Sequence, residues 1–224
     1  RQTVIFQNND DRTDFLKYTI LKREKTRIVR GSGVDKNKFP YTEINYGSKT
    51  IVLIGRMLWD KGVRCFVESA KLVKSKLPNA KFILVGPVDE GNPSSIPISM
   101  LENWNENNIV EWRGNVRDIA SIYKDANIVV LPSHREGLPK TLIEAGLSGR
   151  PVITTDVPGC RDVVINGMNG FIIPKDDAGL LSEKIIYLLT NKDLQTKMGI
   201  DGRDYVLNNF TTDIIMEEML NIIE

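Results

Sequence analysis

Short apolar runs closed by glycine or proline alternate along this chain with amphipathic stretches of helical period. Residues 51–54 (Ile-Val-Leu-Ile) end at Gly55, residues 82–85 at Gly86 and residues 128–131 at Pro132. Residues 152–155 follow Pro151, residues 170–173 end at Pro174, and residues 109–112 make a shorter run. Runs apolar at successive positions suit strands of a parallel sheet covered on both sides. Between them Val63, Phe66, Val67, Ala70 and Val73 recur at helical spacing, predicting a helix from an Asp60 cap to about Ser75. Asn115 can cap a helix over 116–124 with Ile119, Ala120 and Tyr123 on its apolar stripe. Asp176 opens another through Leu189, and two more, about 192–207 and 211–223, close the chain. Residues 91–97 read as an irregular loop, and no internal repeat is visible. Strand–helix alternation predicts right-handed crossovers, hence an α/β fold: a Rossmann-like doubly wound parallel sheet with helices on both faces. Ligands of such sheets bind at the carboxyl ends of the strands, at the point where strand order reverses. Gly55, Gly86 and Pro132 mark those ends.

The 224 residues suffice for one large domain or two small ones with a sizeable core. A net charge of +1 gives no whole-chain argument for nucleic acid, and no nucleic-acid partner is expected. The charge is uneven, however. Residues 17–38 hold eight Lys or Arg against Glu24 and Asp35, either a solvated surface or a patch facing phosphates or an anionic membrane. Cys65 falls on a helical apolar stripe and Cys160 follows Pro158-Gly159; two such cysteines suit a reducing compartment. With no signal peptide and no apolar run of membrane-spanning length, the expected place is the cytoplasm, with peripheral contact at the inner membrane surface open. The chain begins at Arg1 rather than Met and reads as a segment of a longer protein.

The chemistry concentrates in Glu136-Gly137-Leu138-Pro139-Lys140-Thr141-Leu142-Ile143-Glu144. A strand-like run precedes it, a turn follows, and Pro139 suits the first position of a helix. That helix start is an anion site. Glu136 lies before it and Glu144 past it, up to ~12 Å away along the axis. This layout suits a ligand with hydroxyls at both ends and a diphosphate between them, as in a sugar nucleotide. Gly55-Arg56…Lys61-Gly62 joins the first strong strand to its helix, so Arg56 and Lys61 stand at the binding edge. Either could be a surface charge alone; together with the glutamates they can stabilise a leaving diphosphate without a metal. No Asp-x-Asp is present to suggest a divalent ion, and no metal or other cofactor is expected. Trp112-Arg113 at another strand end can contact a base or, for Trp112, lie in the core. His134 is a candidate as a loop histidine. Gly31-Ser32-Gly33 precedes no convincing helix, which counts against a dehydrogenase fingerprint.

Taken in order, Gly31-Ser32-Gly33-Val34-Asp35, Gly55-Arg56 with Lys61-Gly62, Gly86, and Pro132-Ser133 leading to Glu136…Glu144 resemble the C-terminal, donor-binding half of retaining GT-B glycosyltransferases, the glycosyl transferases group 1. The resemblance covers nearly the whole chain. It implies one half of a GT-B fold, a nucleotide-diphospho-sugar donor (a UDP-sugar), and transfer with retention to an acceptor alcohol, glycan or lipid-linked sugar in cell-surface polysaccharide or glycoconjugate synthesis. It assigns Arg56 and Lys61 to the diphosphate and Glu136 to donor-sugar hydroxyls. The N–H groups of Gly137 and Leu138 lie nearby, those of Thr141 and Leu142 meet phosphate, and Glu144 takes the ribose. Gly55 and Arg113 complete the donor-binding set. It further implies that residues 1–20 lead from an acceptor domain absent from this sequence, that 21–208 form the nucleotide-sugar domain, and that 209–224 form a terminal helix. Without the acceptor domain, donor binding with little transfer is expected. A sugar-nucleotide epimerase of related architecture and a non-catalytic nucleotide-sugar-binding module remain alternatives.

Overall fold

The computed structural model describes residues 3–223. Arg1, Gln2 and Glu224, at the outer ends of the two expected terminal segments, lie outside the described residues. The elements run β1 (Val4–Phe6), α1 (Asn9–Lys17), β2 (Thr26–Ile28), β3 (Thr50–Ile54), α2 (Val63–Lys76), β4 (Lys81–Val85), α3 (Ile98–Glu106), β5 (Glu111–Trp112), α4 (Ile119–Asp125) and β6 (Ile128–Leu131). They continue with α5 (Lys140–Leu147), β7 (Val152–Thr155), α6 (Cys160–Val163), β8 (Gly170–Ile173), α7 (Ala178–Thr190), α8 (Lys192–Asn209) and α9 (Thr212–Ile223).

Six strands form one parallel sheet in the order β5-β4-β3-β6-β7-β8. The chain lays down β3, β4 and β5 outward, returns to place β6 beside β3, and then builds the other half. The reversal falls between β3 and β6, so this is the doubly wound sheet the apolar runs predict. Alternation within each run divides the core. Ile51, Leu53, Phe82, Leu84, Ile128 and Val130 meet α2 and α7 on one face. Val52, Ile54, Ile83, Val85, Val129 and Leu131 meet α4, α5 and α8 on the other. β1, α1 and β2 stand apart as a two-stranded parallel unit, with Val4 opposite Thr26. The expected boundary at residue 20 falls between α1 and β2 of this unit, and residue 208 falls inside α8.

Several element boundaries differ from expectation, each for a local reason. Asp60 lies within a 3-10 turn (Trp59–Lys61), and α2 starts after Gly62, whose φ of 72° ends that turn. Asp118, not Asn115, caps α4, its carboxylate accepting from Ser121 N at 3.2 Å. Asp177, not Asp176, caps α7 by accepting from Leu180 N at 2.8 Å, while Asp176 takes a left-handed φ of 58°. Residues 109 and 110 are not strand: Asn108, at φ 53°, turns the chain just before them. The helices α1, α3 and α6 and the strand β2 have no counterpart in the sequence reading.

Two side chains fix the frame around β6. Asn127 is buried, accepts from Thr50 N (2.8 Å) and Ser48 Oγ (2.9 Å), and donates to Asn45 O (3.0 Å), aligning β6 with β3. The Arg150 guanidinium is wholly buried and donates to the main-chain oxygens of Tyr123 (2.7 Å) and Lys124 (3.3 Å) and to Thr42 Oγ1. It caps the carboxyl end of α4 with a cation, where the helix dipole favours one. Burial lowers its pKa to about 10, still protonated at neutral pH.

A very close approach joins the loops after β3 and β6. A Cβ at Gly62 would stand 2.0 Å from Pro132 O, on a backbone already at positive φ. Gly62→Ala is therefore expected to destabilise the chain by about 3 kcal/mol or more, lowering Tm by roughly 6–12 °C. Thermal unfolding by circular dichroism checks this; an unchanged Tm would show that the two loops can separate freely.

Candidate functional site

The site grows from the ends of β3 and β6, on either side of the strand-order reversal. Gly55 donates to Val85 O at 2.9 Å, and the loop then runs over the sheet edge to the turn that carries Lys61. Because Gly62 lets that turn lie on Pro132, Lys61 faces the loop after β6. Its Nζ lies 2.6 Å from Glu136 Oε1. Ser133 Oγ donates to the same oxygen at 2.6 Å. The two charged side chains are only 22% and 10% exposed, far less than a surface pair. An ion pair so enclosed is held by its hydrogen bonds as much as by its charge.

The next residues are pressed from several sides. Asn8, 2% exposed, caps α1 with its Oδ1 and donates from Nδ2 to Gly137 O at 2.9 Å. A Cβ at Gly137 would meet Gln7 Oε1 at 2.6 Å, and one at Gly159 would stand 2.3 Å from Gly137 O. Leu138 Cδ2 lies against Gly31. Thus segments before β3, and the loop after β7, hold Glu136–Leu138 in place.

The helix α5 begins at Lys140, with Pro139 as its cap rather than its first residue. Among the described residues, the N–H groups of Gly137, Leu138, Lys140 and Thr141 have no protein acceptor, while Leu142 N–H donates to Pro139 O at 3.1 Å. Thr141 Oγ1 donates to Ile54 O at 3.3 Å, tying the helix start to the end of β3. One turn on, Glu144 Oε2 accepts from the wholly buried Tyr123 hydroxyl at 2.8 Å, with Thr141 O 3.2 Å from that hydroxyl. Burial raises the Glu144 carboxyl above its usual range, opposed by the Tyr123 hydrogen bond and then by the Lys140 charge. The phenol of Tyr123 is pushed up by burial first and by the Glu144 charge second.

The chain therefore brings together Gly55, Lys61, Glu136, Gly137, Leu138, Thr141, Leu142 and Glu144. Arg56 and Arg113 point elsewhere. Arg56 Nη1 pairs with Asp89 after β4, at 2.6 Å, and is 58% exposed. Arg113 forks onto Glu111 of its own strand (2.6 and 3.2 Å). Trp112 packs on the core and donates its indole N–H to Gly86 O at 3.1 Å. His134 turns toward α7, with Nε2 2.8 Å from Asp176 Oδ1. It borders a hollow of about 350 Å³ with Trp59, Arg64 and Glu68 that neither Lys61 nor Glu136 lines. Of the residues 17–38, Lys17 pairs with Asp14, Lys36 with Asp213, and Arg30 stacks over Phe210. The sequence reading gives Ser133, Asn8, Gly159 and Tyr123 no role of their own in the site. Only Tyr123 left a signal, a phenol on an apolar helical stripe, since a buried hydroxyl needs a partner.

Among the described residues no group of His, Cys, Asp and Glu is arranged to hold a metal ion, and no helix is long and apolar enough to cross a membrane. Cys65 and Cys160 are both buried free thiols, each raised to about 12, by burial above all.

Comparison with known proteins establishes the family and the fold. The chain is 36% identical over 188 residues to the capsular polysaccharide biosynthesis glycosyltransferase CapM of Staphylococcus aureus, an alignment covering 83% of this chain and 49% of that protein. It is 32% identical over 227 residues to the N,N'-diacetylbacillosaminyl-diphospho-undecaprenol alpha-1,3-N-acetylgalactosaminyltransferase of Campylobacter jejuni, covering 96% and 58%. The chain spans about half the length of these curated relatives. Its fold matches the crystal structure of TarM with a TM-score of 0.85 at 24% identity, over 98% of this chain and 43% of that one. The family model for glycosyl transferases group 1 matches residues 34–205, from Val34 to Tyr205 within α8. The chain belongs to the glycosyl transferases group 1 family.

Proposed function

We propose that this chain binds a nucleotide-diphospho-sugar, a UDP-sugar, between the ends of β3 and β6. We further propose that the whole protein transfers the sugar, with retention, to an acceptor alcohol on a glycan or lipid-linked sugar during cell-surface polysaccharide synthesis. One observation carries the reading. A lysine, a serine and a carboxylate meet at the strand-order reversal, directly before the unpaired N–H groups of α5, and a second carboxylate sits one turn further in. Sugar hydroxyls at Glu136, diphosphate at the helix start and ribose at Glu144 follow the chain in the order of the ligand's own parts.

The relatives' names support a nucleotide-sugar donor and a lipid-diphosphate acceptor. The Campylobacter relative carries a diphospho-undecaprenol acceptor in its name. An Escherichia coli relative, 26% identical over 222 residues, is a UDP-Gal:alpha-D-GlcNAc-diphosphoundecaprenol alpha-1,3-galactosyltransferase. A mutant of S. aureus TarM, 25% identical to this chain, has been crystallised with UDP.

Each part of the site has a role in this reading. As the bond from sugar to phosphate breaks, charge grows on the diphosphate, and preformed N–H groups and Lys61 stabilise it without reorganising. We propose that no metal takes part. Arg56 joins them by leaving Asp89, an exposed pair worth about 0–1 kcal/mol. A Cβ at Gly55 would meet nothing within 4 Å, so packing alone does not require glycine there; the phosphates do, by approaching the backbone. Glu136 Oε1 is already engaged twice, leaving Oε2 for a sugar hydroxyl.

Calorimetric titration of the 224-residue chain with UDP, GDP and ADP, with and without EDTA, tests the reading. UDP is expected to bind unaffected by EDTA, and Lys61→Gln to weaken UDP about tenfold while leaving uridine unchanged. Absence of any nucleotide binding would overturn the donor site, and loss in EDTA would overturn its metal independence.

Glu144→Gln separates function from stability. Burial raises the folded carboxyl above the usual 4.5. The folded chain thus keeps a proton that the unfolded chain has released just above that value. Stability falls as pH rises through the window and stays lower at neutral pH. The amide still accepts from Tyr123 and carries no charge. Glu144→Gln is expected to raise Tm at pH 7.5, flatten the fall in Tm as pH rises above 4.5, and weaken UDP about tenfold. A lower Tm with unchanged UDP binding would contradict both roles.

A further inference from the structure

Tyr123 has no ligand contact in the proposed site, yet it is fastened at both ends. Its side chain is wholly buried between α4 and α5, with its ring edge-on to Phe39 at 5.6 Å. Its carbonyl accepts from the buried Arg150 guanidinium at 2.7 Å, which fixes the last turn of α4. A ring so held can place its one polar atom in only one spot. That atom lies 2.8 Å from Glu144 Oε2, inside an otherwise apolar layer. A phenol has a single proton to donate, and the shorter contact takes it. A glutamate side chain turns about three bonds, and an enclosed carboxylate with no donor would rotate toward water. The Tyr123 hydroxyl opposes both motions. It leaves Oε1 as the oxygen without a protein donor among the described residues.

We infer that Tyr123 is the positioning residue for nucleotide ribose recognition: its hydroxyl anchors Glu144 Oε2 so that Oε1 alone is presented to the ribose diol. This rests on the nucleotide-sugar reading of the site. It assigns to α4, which touches no part of the ligand in that reading, a share in distinguishing ribose from a sugar without hydroxyls. The route runs from Arg150 through the Tyr123 main chain to the carboxylate. The effect is confined to ligands that carry the diol, because phosphate and donor-sugar contacts come from Lys61, Glu136 and the α5 start.

The test is calorimetry of the 224-residue chain with UDP and its 2′,3′-dideoxy analogue, on the wild type, Tyr123→Phe, Glu144→Ala and the double variant. Tyr123→Phe is expected to weaken UDP about tenfold and leave the dideoxy analogue within about twofold, with the double variant no weaker than Glu144→Ala alone. Equal weakening of both ligands would mean a merely structural role and overturn the inference. So would UDP binding unchanged in Tyr123→Phe but lost in Glu144→Ala. Failure of the wild type to bind either ligand would overturn the donor-site reading and this inference with it. If Tyr123→Phe does not fold, Glu144→Gln reads the same hydroxyl from the other side. There Tyr123 draws in the amide oxygen and turns the NH₂ group to the ribose, so the preference for UDP over the dideoxy analogue is expected to shrink. A preference as large as the wild type's would overturn the inference.

Discussion

The loops after β3 and β6 can reach each other only because residue 62 has no side chain. With Pro132 O where a Cβ would lie, the turn carrying Lys61 settles directly on the turn carrying Ser133 and Glu136. Two loops more than seventy residues apart in sequence become one surface at the gap where strand order reverses. A methyl group there would push them apart by a large fraction of an ion-pair distance. The lysine would then find water and the carboxylate would lose its cation. Gly86 repeats the device one strand away, where a Cβ would stand 1.9 Å from Gly55 O. That approach sets the height at which the loop after β3 leaves the sheet, and so the point from which Lys61 starts.

This geometry explains why a charged pair is tolerated where little water reaches it. Removing two charges from water costs several kcal/mol per ion, recovered only with good geometry and further hydrogen bonds. Here the carboxylate has Lys61 Nζ and Ser133 Oγ on one oxygen, and the backbone at Glu136 and Gly137 is clamped by Asn8 and Gly159. Glu144 makes the contrasting case. It has one neutral donor, and burial pushes its carboxyl up against that hydrogen bond. The two carboxylates of one motif thus sit in different electrostatic settings, one neutralised by a fixed cation and one kept polar by a phenol. A ligand that brings its own hydroxyl donors improves the second setting more than the first.

Much of this was legible in the sequence, and the rest fails for identifiable reasons. The strands β6, β7 and β8 are read to the residue, because unbroken apolar runs between proline and glycine leave few other options. By contrast α3 buries only Leu101 of its nine residues and so carries almost no stripe. Lys61, Glu136 and Glu144 are visible by residue type and by position after strand ends. Tyr123 shows only as an apolar stripe member, because its partner lies 21 residues on and across a helix interface. The clamp of Asn8 on Gly137 spans 129 residues, and nothing local announces it. Arg56 and Arg113 have the right type in the right loops. Their directions are set by Asp89 and Glu111, whose placement depends on how neighbouring loops leave the sheet.

The engagement of Glu136 also bears on how the reaction can proceed. A carboxylate that attacks the sugar must turn a free lone pair on the anomeric carbon and give up negative charge as it does so. Glu136 has one oxygen bound by an ammonium and a hydroxyl at 2.6 Å each, and its neighbours along the chain are fixed by packing. Both donors stabilise the charge that attack would consume, so they lower its nucleophilicity, and the clamp removes the freedom to advance on the sugar. The same features suit a group that accepts a hydroxyl hydrogen bond and keeps a donor sugar at a fixed distance from the helix start. The resemblance to retaining GT-B glycosyltransferases implies that the leaving diphosphate itself serves as base to the incoming acceptor, and in the proposed function Lys61 and the N–H groups of α5 fix its position. In the proposed function, retention comes from departure and attack on one face, and the protein's part is to hold the diphosphate there while the acceptor arrives.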